Sequence, residues 1–298
     1  MFDPVYPQLQ TAFDNSSLAL FKDCPRKYYY AIIEGWRPSR PSIVLDFGTA
    51  MHSSLECFDI AIADGKSHDE ALALAVRHAL KLSHKWSFED NIRNPYTLLR
   101  AIIWYADQYK NDPIETVKLP NGKPALELSF RFELDIKTPS GEPYLYCGHI
   151  DKIGKFNGAI YAIDRKTTTS ALTDTYFARY NPNGQISGYS VAAQILRSEP
   201  SHGFIIDAIQ LGVNFCRSQR YIVTRTQEQL EEWLHNTIEW IKRIEAAAVT
   251  KSWPMNEESC TKYGSCQFRE VCSKTPSIRD NWLATYFVRD RWNPLVSR

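Results

Sequence analysis

The residues best placed to do chemistry in this chain are two aspartates, Asp151 and Asp164, with Lys166 two positions beyond the second. They lie in YLYCGHIDKIGKFNGAIYAIDRKTTT, residues 144–169, whose centre is Asn157-Gly158. An Asn-Gly pair is the strongest short signal for a two-residue hairpin turn, because both central positions need positive φ. A turn there sets the register: Phe156 faces Ala159, Ile153 faces Ala162 and Asp151 faces Asp164. Alternation puts His149 and Lys166 on the same face as the two aspartates. Opposed residues have Cβ atoms about 5 Å apart, and like charges there destabilise a sheet. A divalent cation removes that repulsion. Two carboxylates beside an ammonium then read as a Mg²⁺ or Mn²⁺ site for phosphodiester hydrolysis, where the ion polarises the phosphate and acidifies its water. Lys166 would offset the negative charge that develops. The plainer reading of the same hairpin is a solvated, salt-bridged strand face.

Other residues could join this chemistry. His52 and Glu56, in FGTAMHSSLE, stand one helical turn apart on one face, and His52 is a further candidate metal ligand. Gln185 and Tyr189, in NPNGQISGYS, are also one turn apart and by themselves read as helix-surface hydrogen bonders. Seven cysteines without a secretion signal argue against a disulfide framework. Cys260, Cys266 and Cys272 are evenly spaced near the C-terminus, and Cys24 sits in LFKDCPRKYYY; Cys57, Cys147 and Cys216 read as small core residues. Four soft thiolates can hold an iron–sulfur cluster or a structural zinc ion. Zinc hooks usually come as C-x2-C pairs, and this sequence has none.

The elements that must position these groups are legible from periodicity. Residues 16–34 read as a helix capped by Asn15 or Ser16, broken after Cys24 by Pro25 and closed by Gly35. Helices are expected at 48–63 and over 68–110, the latter interrupted at Asn94-Pro95. From Leu126 to Leu134 every second residue is apolar, the period of a half-buried strand. After the hairpin come a helix at 182–196, strands at 203–215 and 220–224, and an amphipathic helix at 227–248. That helix turns Leu230, Trp233, Leu234, Ile238, Ile241 and Ile244 to one side. Trp104, Trp233 and Trp240 are assigned to helix packing. The class is α/β, a small mixed sheet flanked by helices, with a helical insertion at 60–118 and a cysteine-rich segment at 255–298. A single domain over 1–298 is expected.

Composition bounds the rest. Forty-four per cent hydrophobic residues over 298 positions can bury a substantial core. No apolar run approaches a membrane span, and MFDPVYPQLQ resembles neither a secretory nor a transit segment. A soluble cytoplasmic protein with no membrane partner is expected. Lys plus Arg number 35 against 34 Asp plus Glu, so net charge gives no sign of a nucleic-acid partner. Locally, residues 262–298 carry seven basic and three acidic residues.

In order, LFKDCPRKYYY, FGTAMHSSLE, GHIDKI, AIDRKTT, QISGY and the terminal cysteines resemble the RecB-like branch of the PD-(D/E)XK nuclease superfamily. That branch includes nuclease domains of bacterial helicase–nucleases, CRISPR-adaptation nucleases and phage exonucleases. The resemblance implies a restriction-endonuclease-like core and a metal-dependent DNA nuclease, probing single-stranded DNA or free ends as an exonuclease. It implies His52, Asp151, Asp164 and the Arg165 carbonyl as ligands of Mg²⁺ or Mn²⁺, with Lys166 acting on the attacking water. Gln185 and Tyr189 would support the site, and Glu127 would add an acidic group, although Glu127, Ser129, Arg131 and Glu133 also form an ordinary polar strand face. Cys24, Cys260, Cys266 and Cys272 would staple the chain ends through a [4Fe–4S] cluster, with zinc as the alternative. Arg26 and Lys27 would meet DNA phosphates, joined by Arg37 and Arg40, and Tyr28, Tyr29 or Tyr30 would stack on bases. Recombination or CRISPR-adaptation proteins are the implied partners. The rival readings are a non-catalytic DNA-binding component of such a complex and a nuclease acting on RNA.

Overall fold

The fold is that of a computed structural model, which describes residues 1–40, 42–197, 202–262 and 265–296. Residues 263 and 264 of the expected cysteine segment, and its last two, lie outside the described residues. The main helices are α1 (Asn15–Asp23), α2 (Ile43–Ala63), α3 (His68–Ser83), α4 (Pro95–Gln108), α5 (Gly184–Arg197) and α6 (Gln227–Thr250). The main strands are β1 (Ala12–Phe13), β2 (Glu115–Thr116), β3 (Leu126–Lys137), β4 (Pro143–Phe156), β5 (Ala159–Thr168), β6 (Gly203–Leu211) and β7 (Cys216–Val223). No described helix is long and apolar enough to cross a membrane.

The chain forms two compact units: residues 1–41, 131–148 and 231–297, and residues 42–130 and 149–230 with Arg298. In the second, β4 and β5 form the hairpin, with Asn157 at φ 48° and Gly158 at φ 82° as the Asn-Gly turn requires. β5 then pairs in parallel with β6, and β6 antiparallel with β7; β2 and β3 also pair with β4. The result is a mixed sheet. The strand expected over 203–215 ends at Leu211, because Gly212 N–H donates to the Phe215 carbonyl and turns the chain into β7.

Each face of this sheet has its own cover. The side chains of Ile209 and Leu211 pack in one cluster with Phe47, Met51 and Leu55 of α2, Ala75 of α3 and Leu98 and Ile102 of α4. Alternation sends Arg165 and Asp207 to that same face. On the other face, Tyr189 of α5 lies edge-on to Phe130 at 5.3 Å and 6.1 Å from the Phe204 ring. Local capping explains where the helices start. Ser67 and Glu70 form a capping box at α3, and Asn94 accepts from Thr97 N–H at 3.0 Å just before Pro95 of α4.

In the first unit α1 starts one residue earlier than expected, because Asp14 rather than Asn15 caps it and exchanges hydrogen bonds with Ser17. Cys24 breaks the helix in an extended conformation, as Pro25 foretold. β1 runs parallel to β4 at Leu145 and Tyr146, and Trp233 of α6 lies edge-on to Tyr146 at 5.0 Å. Trp233 and Trp240 pack as expected, but Trp104 on α4 is 45% exposed and is a surface residue. Cys147 is buried, whereas Cys57 and Cys216 are only half-buried.

Gly154 on β4 has no room for a side chain. A Cβ there would collide with Ile114 Cγ2 and come within 2.9 Å of Ile163 Cδ1. Gly154→Val should therefore destabilise the protein by about 2 kcal/mol in chemical denaturation, since overfilled cores must shift their neighbours.

Candidate active site

The β4–β5 ladder stops just short of the two aspartates. Its paired register runs from Phe156 opposite Ala159 to Lys152 opposite Ile163. One step further, Asp151 turns its carboxylate into the fork between the strands, where Oδ2 accepts the Arg165 backbone N–H at 2.8 Å. The same oxygen lies 3.2 Å from His52 Nδ1 on α2. Glu127 completes a group: ligand atoms of His52, Glu127 and Asp151 all lie within 4.8 Å of one another. Among the described residues, this is the trio spaced to hold a metal ion.

Glu127 reaches that position through an unusual backbone. Its φ is 44°, a region residues with a Cβ seldom enter. Strand alternation fails at the same point, since Leu126, Glu127 and Leu128 are all half-buried before the regular pattern begins. A local distortion of this kind re-aims a strand side chain.

Asp164 adjoins the trio but has its own partners. Lys166 Nζ lies 2.6 Å from its Oδ2, and Gln185 Nε2 donates to its Oδ1 at 3.2 Å. Lys166 also donates to Gln185 Oε1 at 3.0 Å, so one amide holds both members of the ion pair. Asn183 fixes Gln185 in the first turn of α5 by accepting from the backbone N–H groups of Gln185 and Ile186. Tyr189 follows one turn later and is buried. His149 Nδ1 is 2.9 Å from Ser129 Oγ.

Burial sets the electrostatics, and pairing divides them. Asp151 and Asp164 are 7% and 2% exposed, which alone would raise both carboxyl pKa values. For Asp151 burial is outweighed by His52, Lys166 and the Arg165 amide, which hold it at about 2. For Asp164 burial and the neighbouring Asp151 charge prevail over Lys166, and its pKa is raised. Burial opposes charge on His52 and on Lys166 as well, but the aspartates raise both. Burial and Asp164 push the Tyr189 phenol up to about 12. An imidazole with two carboxylates is a donor set that could hold a divalent metal ion.

The four cysteines Cys24, Cys260, Cys266 and Cys272 all belong to the first unit. Cys24 Sγ accepts from Asn256 N–H at 3.4 Å, and Cys266 N–H donates to the Cys260 carbonyl at 2.9 Å. Cys266 and Cys272 pack beside Tyr30, Phe268 and Leu283. Burial raises both thiols, Cys272 to about 11, with adjoining cysteines adding to the shift. No three cysteine sulfurs form a group at the 4.8 Å spacing among the described residues.

Of the residues expected to touch DNA, Tyr28, Arg26 and Lys27 have partners within the chain, whereas Arg37 and Arg40 are exposed. Tyr28 is fully buried, and its hydroxyl donates to Gln10 Oε1 at 2.9 Å, so it has no face for a base. Arg26 Nε donates to the Trp253 carbonyl, and Lys27 pairs with Asp23 at 2.9 Å. Sequence reasoning missed the side chain of Arg165, which pairs with Asp59 of α2 at 2.6 Å. The available signal was the seven-residue spacing from His52 to Asp59, which puts them on one helix face.

The His52–Asp151 pair makes metal-free stability depend on pH. Asp151 contributes above its unfolded value near 3.8 and loses this as pH falls toward about 2. His52 contributes fully below 6.5 and loses this as pH rises through its raised folded value. In an NMR titration of metal-free protein, His52 should titrate above 6.5 and Asp151→Asn should lower its midpoint. A wild-type midpoint below 6.5 would contradict the pairing.

Comparison with known proteins agrees with this geometry. No curated protein matches the chain. Among solved structures, a candidate exonuclease from Eubacterium rectale is 15% identical, with 93% of this chain and 94% of that one covered and a TM-score of 0.51. At that identity the likeness is one of fold. The structure of SSO0001 is 15% identical over 89% of this chain and 87% of that one, with a TM-score of 0.39. The family model of the PD-(D/E)XK nuclease superfamily matches residues 15–273, and its members use divalent metals. With its paired aspartates, neighbouring lysine and flanked mixed sheet, this chain belongs to the PD-(D/E)XK nuclease superfamily.

Proposed function

We propose that the chain is a divalent-metal-dependent deoxyribonuclease of the RecB-like branch, acting as an exonuclease on single-stranded DNA or free ends. The observation that carries this reading is the His52–Glu127–Asp151 trio beside the Asp164–Lys166–Gln185 linkage. The trio would hold Mg²⁺ or Mn²⁺, with Asp164 as a further candidate ligand. When bound, the ion supplies charge to the phosphate and lowers the pKa of its water. The remaining work falls to the chain itself. Asp164 and Gln185 hold the Lys166 ammonium in place, with its proton retained because the aspartates raise its pKa. Lys166 can then donate to a phosphate oxygen or to the attacking water, which offsets charge as the phosphorus crowds. Tyr189 keeps its proton and lines the same side.

Lys166→Ala should lower cleavage by at least about a hundredfold while DNA binding persists. Undiminished cleavage would refute the role given to Lys166. End-labelled linear DNA, circular DNA and matched RNA strands, each digested with Mn²⁺ and again with EDTA, test the rest. Loss of linear DNA alone, abolished by EDTA, is the expected outcome. Cutting of circles would overturn the exonuclease assignment, and preference for RNA would overturn the substrate.

The four thiols belong to the same proposal. Cys24, Cys260, Cys266 and Cys272 are assigned as ligands of a [4Fe–4S] cluster that ties the two terminal segments together. What supports a shared ligand is proximity: besides burial, Cys24 and Cys260 raise the Cys266 thiol, and Cys266 and Cys24 raise Cys272. Protein purified without oxygen should be brown, contain about four iron atoms per chain and lose them in Cys266→Ser. Colourless protein with stoichiometric zinc would overturn the cluster.

A further inference from the structure

Behind the catalytic face runs a closed set of buried charges that the proposed chemistry does not use. Asp59 of α2 sits at its head, 7% exposed. Its two oxygens take two cations: Lys152 Nζ at 3.3 Å on Oδ1 and Arg165 Nη2 at 2.6 Å on Oδ2. Arg165 continues the chain, its Nε 3.4 Å from the Tyr105 hydroxyl and its guanidinium over the Tyr105 ring. The Tyr105 hydroxyl donates to Asp207 Oδ2 at 2.5 Å. Arg220 Nε reaches the same oxygen at 3.1 Å and forms a two-pronged pair with Asp112. Arg165, Asp207 and Arg220 occupy one row, because Arg165 is opposite Asp207 and Asp207 is opposite Arg220 in the strand registers.

Three carboxylates, Asp59, Asp112 and Asp207, thus meet three cations, Lys152, Arg165 and Arg220. Such a set is electrically complete and needs nothing from the catalytic side. What it does touch is the backbone of the catalytic side. Arg165 lies between Asp164 and Lys166 and points the opposite way, while its own amide binds Asp151. Lys152 is the residue after Asp151. Asp59 lies seven residues beyond His52, about two turns and 10 Å along the same face of α2. Each partner of Asp59 is therefore covalently adjacent to a residue of the site.

On the metal-dependent reading above, we infer that Asp59 and Arg165 are positioning residues for the metal trio. Their pair locks the rotation and height of α2 against β4 and β5, so that His52 meets Asp151 and the Asp164–Lys166 pair keeps its register. Neither side chain touches the reacting atoms. Two buried cations on one carboxylate fix α2 at an angle as well as a distance, which a hydrophobic contact would leave free to slip.

The test is Mn²⁺ binding without DNA, followed by the paramagnetic signal of free Mn²⁺, on the full chain and on Asp59→Asn and Arg165→Lys. Thermal melting of each variant is recorded alongside. Asp59→Asn should weaken Mn²⁺ about tenfold, the usual scale for a group that orients a metal ligand. Arg165→Lys keeps the charge but loses the fork that spans Asp59 and Tyr105, and about a threefold loss is expected. Asp59→Glu should restore part of the Asp59→Asn loss. If Asp59→Asn melts below the assay temperature, Arg165→Lys decides the question. A folded variant that binds Mn²⁺ within the error of the unchanged chain overturns the inference, because a purely structural role lowers melting and leaves affinity alone. If the unchanged chain itself fails to bind Mn²⁺ or to cut DNA, the metal-dependent reading fails first, whatever the variants do.

Discussion

The arrangement depends on one carboxylate turned into a gap. Two buried acids on adjacent strands repel each other strongly, and a protein can tolerate them only by giving each a different set of neighbours. Asp151 takes a backbone amide and an imidazole from the fork where the hairpin ladder ends. Asp164 takes an ammonium and an amide from the face covered by α5. Their tendencies to ionise are driven in opposite directions, Asp151 down and Asp164 up.

The sheet also sorts its charges by side. One face of β5 carries Asp164 and Lys166 toward α5, and the other carries Arg165 toward α2 and α4. Alternation in a single tripeptide therefore serves both the reactive face and the structural one. On the structural face three carboxylates balance three cations in number. The cost is a buried ionic layer that stabilises little beyond what apolar packing would, and its value lies in fixing one arrangement.

Much of this was legible in the sequence because short-range rules governed it. Asn157-Gly158 dictated the turn, and the register counted from it placed Asp151 opposite Asp164, one step beyond the last paired residues, Lys152 and Ile163. Gln185 and Tyr189 also emerged correctly as one helix face, although nothing local showed that Gln185 would bridge Lys166 and Asp164. What escaped was decided by tertiary contact. The left-handed backbone at Glu127 has no marker such as glycine. Tyr28 belongs to a run of three tyrosines whose burial is set by Gln10 and Trp253, far away in sequence. Trp104 looked like packing by residue type, yet its side of α4 has no cover. The Arg165–Asp207–Arg220 row required knowing that β6 sits between β5 and β7, and strand order cannot be read from periodicity.

The composition of the trio's surroundings has one more consequence. Glu127, Asp151 and Asp164 set three acidic side chains beside Lys166 and a single imidazole. Under the proposed function a cation there would offset acidic charge ahead of a phosphodiester, and by reciprocity a docked phosphate would tighten the cation by the same factor.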